Sequence, residues 1–265
     1  GAEVTAVGRH ALESFICVLS APLIMLFMPM VSPCALPLST SSPGGHMGSI
    51  RHKSAAMQRI QDLVRLGYVR WISGVVSREK AARLAAKFAA RYGTAADRNE
   101  RRRRRRHGAG NGFLVIYLPP RQPYAVWWLL VDDEHPAQHY EDLQDAREVR
   151  VTMPNPYWCP EAWREDYELV RLDNRWTWRM VEARRTEWKA RLRDAVRRPD
   201  RDTRHLQVRQ AVYSLRKLPG FRGVRQDAHD LIRLLKSDWK RVRHKAEPLP
   251  VTPRLPPYVR RIKHE

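Results

Sequence analysis

The densest run of titratable side chains is Asp132, Asp133, Glu134, His135, His139, Glu141 and Asp142. Two histidines four residues apart share one face of a helix, and with a carboxylate as third ligand they would hold a transition metal. Pro136 stands between them, and no other His or Cys falls at a ligand spacing nearby, so the sequence predicts no metal here and no other cofactor. No Walker loop, nucleophile elbow, dinucleotide fingerprint or His-Glu-x-x-His pair occurs in the chain. The enzymatic chemistry left open is metal-free RNA cleavage by a His with a Lys or Arg, which leaves almost no linear pattern.

A second chemistry is far better represented. The chain carries 49 Lys and Arg against 28 Asp and Glu, a formal net charge of +21 that sets it apart from ordinary soluble enzymes. A positive field of this size attracts polyanions, of which DNA and RNA are the commonest in a cell. Arg101, Arg102, Arg103, Arg104, Arg105 and Arg106 form an unbroken run, followed by His107-Gly108-Ala109-Gly110-Asn111-Gly112. Like charges repel and glycines do not hold a fold, so residues 97–112 are expected to be a flexible basic loop.

Residues 182–265 hold 24 Lys and Arg against 10 Asp and Glu, which makes this region the strongest candidate for contacts to phosphates. Arg184, Arg185, Arg191, Arg198, Arg209, Arg216, Lys217, Arg233, Lys240 and Arg241 fall largely off the apolar stripes and are expected to face outward. The segment Lys217 to Arg225, KLPGFRGVR, is a glycine-containing turn opening a helix. Its backbone N–H groups, with Arg222 and Arg225, would suit a phosphate, although any interhelical turn has the same pattern.

These side chains need a scaffold. Met57, Ile60, Leu63 and Val64 recur at helical spacing before Gly67, and Ala81, Leu84, Ala85, Phe88 and Tyr92 do so before Gly93. The two helices (54–93) read as a helical pair joined by an extended link, Tyr68 to Val76, which is longer than the turn of a helix-turn-helix. Phe113 to Leu118 predicts a strand, and the all-apolar run Tyr124 to Val131 a central strand buried on both faces. Asp132 to Glu148 reads as loop and short helix before Val149 to Met153 returns to the sheet. Asp173-Asn174 is a two-residue turn that sets Leu169 opposite Trp178, Tyr167 opposite Met180 and Glu168 opposite Arg179.

Three amphipathic helices follow, over about 182–198, 203–217 and 224–243, in a basic helical region (182–247). The Pro-rich basic tail from Pro248 is expected to be extended, an arm or a surface strap. The fold class expected is therefore α+β: an N-terminal helical pair, an antiparallel sheet of four or five strands (113–181) and a basic C-terminal helical region.

Residues 14–32 are apolar and uncharged, like a secretory signal or short membrane span, yet two prolines interrupt them and composition changes abruptly at Gly44-Gly45-His46-Met47. Residues 1–46 are open between translated upstream sequence, an export or anchoring signal and a native tail. From Met47 onward the chain is expected to be cytoplasmic and not to need a membrane. Cys17, Cys34 and Cys159 are too few and too scattered for a disulfide framework or a metal knuckle.

The segments IQDLVRLGYVRW (60–71), VWWLLVDD (126–133), YELVRL and WTWRM within 167–180, LPGFRGVR (218–225) and PPYVRR (256–261) together resemble a family of uncharacterised basic proteins carried on integrative conjugative elements and plasmids of Proteobacteria. The resemblance runs from about Met57 to Arg261. It implies a role in a mobile genetic element and supplies no reaction. A weaker similarity is to CRISPR repeat-processing endonucleases, which combine antiparallel sheets, basic helices and a C-terminal glycine loop; the turn at Pro219–Gly223 has fewer glycines than theirs. The function expected is non-catalytic nucleic-acid binding, to DNA or RNA, with other proteins of a nucleoprotein complex as further partners. The alternatives are a metal-independent RNA-processing endonuclease and an exported or membrane-associated basic protein.

Overall fold

A computed structural model describes residues 50–155, 164–243 and 247–260, and Met47–Glu265 forms one compact unit. The readings of residues 1–46 and of Cys159 lie outside the described residues. The class is α+β, as expected: among the described residues there are six α-helices, an antiparallel four-stranded sheet and a separate three-stranded one.

Helix α1 (Lys53–Arg65) buries Met57, Ile60, Leu63 and Val64, the apolar stripe legible in its sequence. The segment after it departs from expectation. Arg70–Ser77 is not a link between paired helices but strand β1, antiparallel to β3 (Tyr124–Val131) along its whole length. The two helices do not form a helix-turn-helix either, because a strand of the sheet separates α1 from α2 (Ala81–Tyr92). The sequence carried one sign of this: Gly74 lies opposite Trp127, where an added Cβ would sit 2.8 Å from the indole, the close approach that glycine inside a strand permits.

The four-stranded sheet has the order β2-β3-β1-β4, with β2 at Gly112–Tyr117 and β4 at Gln144–Asp145. Strand β3 is buried on both faces, as its unbroken apolar run requires. Val126, Trp128 and Leu130 join the core with α1. Ala125, Leu129 and Val131 meet Ala81, Ala85, Phe88 and Tyr92 of α2 on the opposite face.

The second sheet, β5 (Thr152–Pro154), β6 (Glu165–Leu172) and β7 (Arg175–Met180), keeps the hairpin register read from the sequence: Leu169 faces Trp178, Tyr167 faces Met180 and Glu168 faces Arg179. Asp173 and Asn174 both have positive φ, 46° and 60°, the condition for a type I′ turn. Four buried tryptophans tie the elements together by donating indole N–H groups to backbone carbonyls. Trp71 bonds Val149 and Trp128 bonds Thr152, both at 3.2 Å; Trp178 bonds Met57 at 2.7 Å and Trp239 bonds Glu247 at 2.9 Å.

Helices α4 (Glu182–Arg197), α5 (Arg201–Arg216) and α6 (Arg222–Arg243) bury the stripes anticipated, including Trp188, Leu192, Val208, Leu215, Leu231 and Leu235. The described tail, 247–260, is extended. Leu249, Val251, Leu255 and Val259 pack against the core, and the Val259 N–H bonds the Gly220 carbonyl at 3.3 Å, so the tail is a strap and not a free arm. A Cβ on Gly220 would collide with the Pro257 carbonyl, which is why the turn carries glycine where the strap crosses it.

Candidate nucleic-acid interface

The six-arginine run is a helix, not a flexible loop. Helix α3 (Arg98–Arg106) starts at Asp97, whose carboxylate accepts the Glu100 N–H at 2.8 Å. Glu100 in the first turn then pairs with Arg103 at 2.8 Å and Arg104 at 3.0 Å, offsetting the repulsion that made a loop the expected state. Arg101 is half-buried, its guanidinium 3.8 Å from the ring centroid of Phe113 and donating to the Thr94 carbonyl. Arg105 reaches the Tyr68 hydroxyl at 3.4 Å. Among the described residues Arg102 and Arg106 are exposed and make no ion pair, so a third of the run is left to meet an anion.

On α4 two predicted contacts turn inward. Arg184 pairs with the buried carboxylate of Asp166, which also takes the Lys53 ammonium at 2.7 Å. Both cations also lie beside the ring of Tyr167, and burial pulls the Lys53 ammonium down to about 8. Arg185 pairs with Glu182 and, at 3.3 Å, with buried Asp227. A guanidinium flanking an apolar stripe serves the core when a buried carboxylate lies across from it, which sequence spacing cannot reveal. Arg191 is exposed over Trp188, 5.0 Å from its ring, and Arg198 is exposed and bonds Gln207.

The turn into α6 is a packing joint and not a phosphate cradle. The Gly223 N–H donates to the Thr177 hydroxyl at 3.2 Å, and a Cβ there would lie 2.5 Å from the Trp178 carbonyl oxygen. Arg222 pairs with Asp173 of the hairpin turn. Arg225 donates to the Pro256 carbonyl and lies 3.8 Å from the centroid of the Tyr258 ring.

What remains outward is ordered. Along α6 the residues Arg222, Gln226, His229, Arg233, Lys236 and Lys240 recur at alternating spacings of four and three, opposite the buried stripe, and all are exposed. At 1.5 Å per residue this ridge is about 27 Å long. Lys236 and Lys240 make no ion pair among the described residues, Arg233 only a loose one to Asp230 at 3.9 Å, and Arg241 lies to one side, bonded to Asp238. On α5 the outward face holds Leu206, Arg209, Tyr213, Arg216 and, just past the helix end, Lys217; the three cations make no ion pair among the described residues. Comparisons with protein-family models, curated proteins and solved structures find no match for this chain.

Sequence reasoning missed His229 and Lys236, though the four-three spacing from Arg222 onward contained them, and it missed Tyr213, 61% exposed on a helix whose apolar residues were assigned to the core. His135 belongs elsewhere: it is buried, its Nε2 lies 3.1 Å from the Tyr92 carbonyl and its Nδ1 accepts the Ala137 N–H at 3.1 Å. Both ring nitrogens thus serve backbone groups, and burial lowers the ring's pKa. Among the described residues no group of three or more His, Cys, Asp or Glu is placed to hold a metal, and no helix is long and apolar enough to cross a membrane.

Proposed function

We propose that this chain binds nucleic acid, DNA or RNA, without catalysis, through phosphate contacts from the outward faces of α5 and α6, with Arg102 and Arg106 of α3 as an auxiliary contact. The observation that carries the reading is the α6 ridge, whose Arg233, Lys236 and Lys240 follow one another on one face with little carboxylate pairing. A phosphate backbone, with one charge per about 1.7 Å of duplex axis, offers partners all along such a ridge. Cytoplasmic placement and service in a nucleoprotein complex of a mobile genetic element belong to the same proposal, the latter resting on the resemblance of the quoted segments.

The test is equilibrium binding over a range of salt. Each phosphate neutralised by the protein releases condensed counterions, so log K falls with log salt by about 0.9 per phosphate on duplex DNA. Six such phosphates would cost about 10³-fold in affinity between roughly 50 and 200 mM salt. Replacing Arg209, Lys236 and Lys240 by Ala should flatten the slope by about 0.9 for each phosphate that is no longer neutralised. An unchanged affinity and slope in that triple variant sinks the reading. Discrete cleavage of labelled RNA by the parent in EDTA would replace it with the endonuclease.

A further inference from the structure

Two tyrosines bracket the turn between α5 and α6, and each has a cation against its ring. Tyr213, 61% exposed, lies one helical turn before Lys217, whose ammonium is 5.1 Å from the ring centroid. Tyr258, 69% exposed, stands on the strap beside Val259, the residue that bonds Gly220 of the turn, and the Arg225 guanidinium lies 3.8 Å from its centroid. Neither ring is needed by the core. The second is held rigidly: Pro256 and Pro257 fix the preceding backbone, Pro256 is buried, and its carbonyl anchors Arg225.

An exposed aromatic ring with a cation at hand and unpaired cations around it has the chemistry of a base-stacking platform. Among the described residues Arg209, Arg216 and Lys217, which flank Tyr213, and exposed Arg260, two residues beyond Tyr258, make no ion pair. In a duplex the base faces are already stacked, so a protruding ring gains nothing there; in a single strand every base has a free face. Resting on the reading above, we infer that Tyr213 and Tyr258 stack on unpaired bases and that the preferred ligand is a single-stranded nucleic acid whose backbone is held by the neighbouring cations.

The experiment uses the full chain and fluorescein-labelled oligothymidylate and oligouridylate of about 16 nucleotides, within the range that stacking-type sites cover. A duplex of the same length and heparin, a polyanion without bases, complete the set. Tyr213→Ala and Tyr258→Ala should each weaken single-strand binding about 5- to 100-fold and leave heparin binding unchanged. Tyr213→Phe and Tyr258→Phe should stay within about twofold, since the ring is retained. Tyr258→Leu keeps apolar packing without a ring face, so it separates lost stacking from a loosened strap, and it should behave like the Ala variant. Single-strand binding unaffected by the Ala variants, or an equal loss for heparin, overturns the stacking inference while nucleic-acid binding stands. Absence of salt-dependent binding to any nucleic acid overturns both.

Discussion

The carboxylate of Asp227 accepts the backbone N–H of Met180 at 2.8 Å, so the first turns of α6 are tied to the last residue of β7. Arg179 donates to the same carboxylate at 2.9 Å. Burial nevertheless dominates and raises the Asp227 carboxyl to about 6, against the opposing pull of the Met180 N–H and the Arg179 charge. A carboxyl raised in the folded state favours the protein in its protonated form. Its contribution is full below the unfolded value near 4 and is lost as pH rises through about 6. Asp227→Asn removes this titration, so the stability of the variant relative to the parent should improve by about 2–3 kcal/mol between pH 4 and pH 7. Urea denaturation of both proteins at the two pH values measures it, and a difference independent of pH contradicts the assignment.

Arg184 and Lys217 are both cations of the C-terminal region, but only Arg184 has a buried partner. Arg184→Ala leaves the buried Asp166 carboxylate with Lys53 as its one remaining cation among the described residues and should cost about 1.5–3 kcal/mol, the loss of a charged hydrogen bond. Lys217→Ala should stay within about 0.5 kcal/mol. Thermal melts at neutral pH separate the two, and similar melting temperatures would place Arg184 on the surface after all.

At the hairpin tip, Asn174 occupies a left-handed conformation that glycine adopts freely and β-branched residues resist. Asn174→Gly should be neutral or stabilising by up to about 1 kcal/mol, and Asn174→Val destabilising by about 1–2 kcal/mol. Denaturant midpoints of the pair give the sign.

Helix α3 depends on its cap, because its remaining residues are mostly like charges. Asp97→Ala should cost about 1 kcal/mol locally, seen as roughly fivefold faster amide hydrogen exchange across residues 98–106 with the global melting temperature unchanged. Unaltered exchange would mean that the contacts of Arg101 with Phe113 and Thr94 hold the helix unaided.

Local signals carried much of the fold into the sequence. The apolar period of α1, α2 and α4 to α6, the unbroken run of β3 and the Asp173-Asn174 turn each depend on neighbours within a few residues, and each element lies where that pattern puts it. The failures have a common cause in partners distant along the chain. Strand β1 has too little alternation to announce itself, and it becomes a strand because β3, some fifty residues later, lies beside it. The inward turn of Arg184 and Arg185 was illegible because Asp166 and Asp227 belong to other elements. For the candidate interface, the charge and the α6 spacing were readable. Which cations remain unpaired was not, since that depends on where every carboxylate falls.

The bond from the Trp178 indole to the Met57 carbonyl spans 121 residues. Together with the pairing of β1 to β3 it makes the contacts of this fold strongly non-local, and closing such long loops before their contacts form slows folding. As the chain leaves the ribosome, α1 emerges with its apolar stripe uncovered and keeps it so until β3 and then β7 have been made. A chain truncated before β3 would present that stripe, with the unpaired strands beside it, to whatever it meets first, which makes the premature product a substrate for chaperones and proteases.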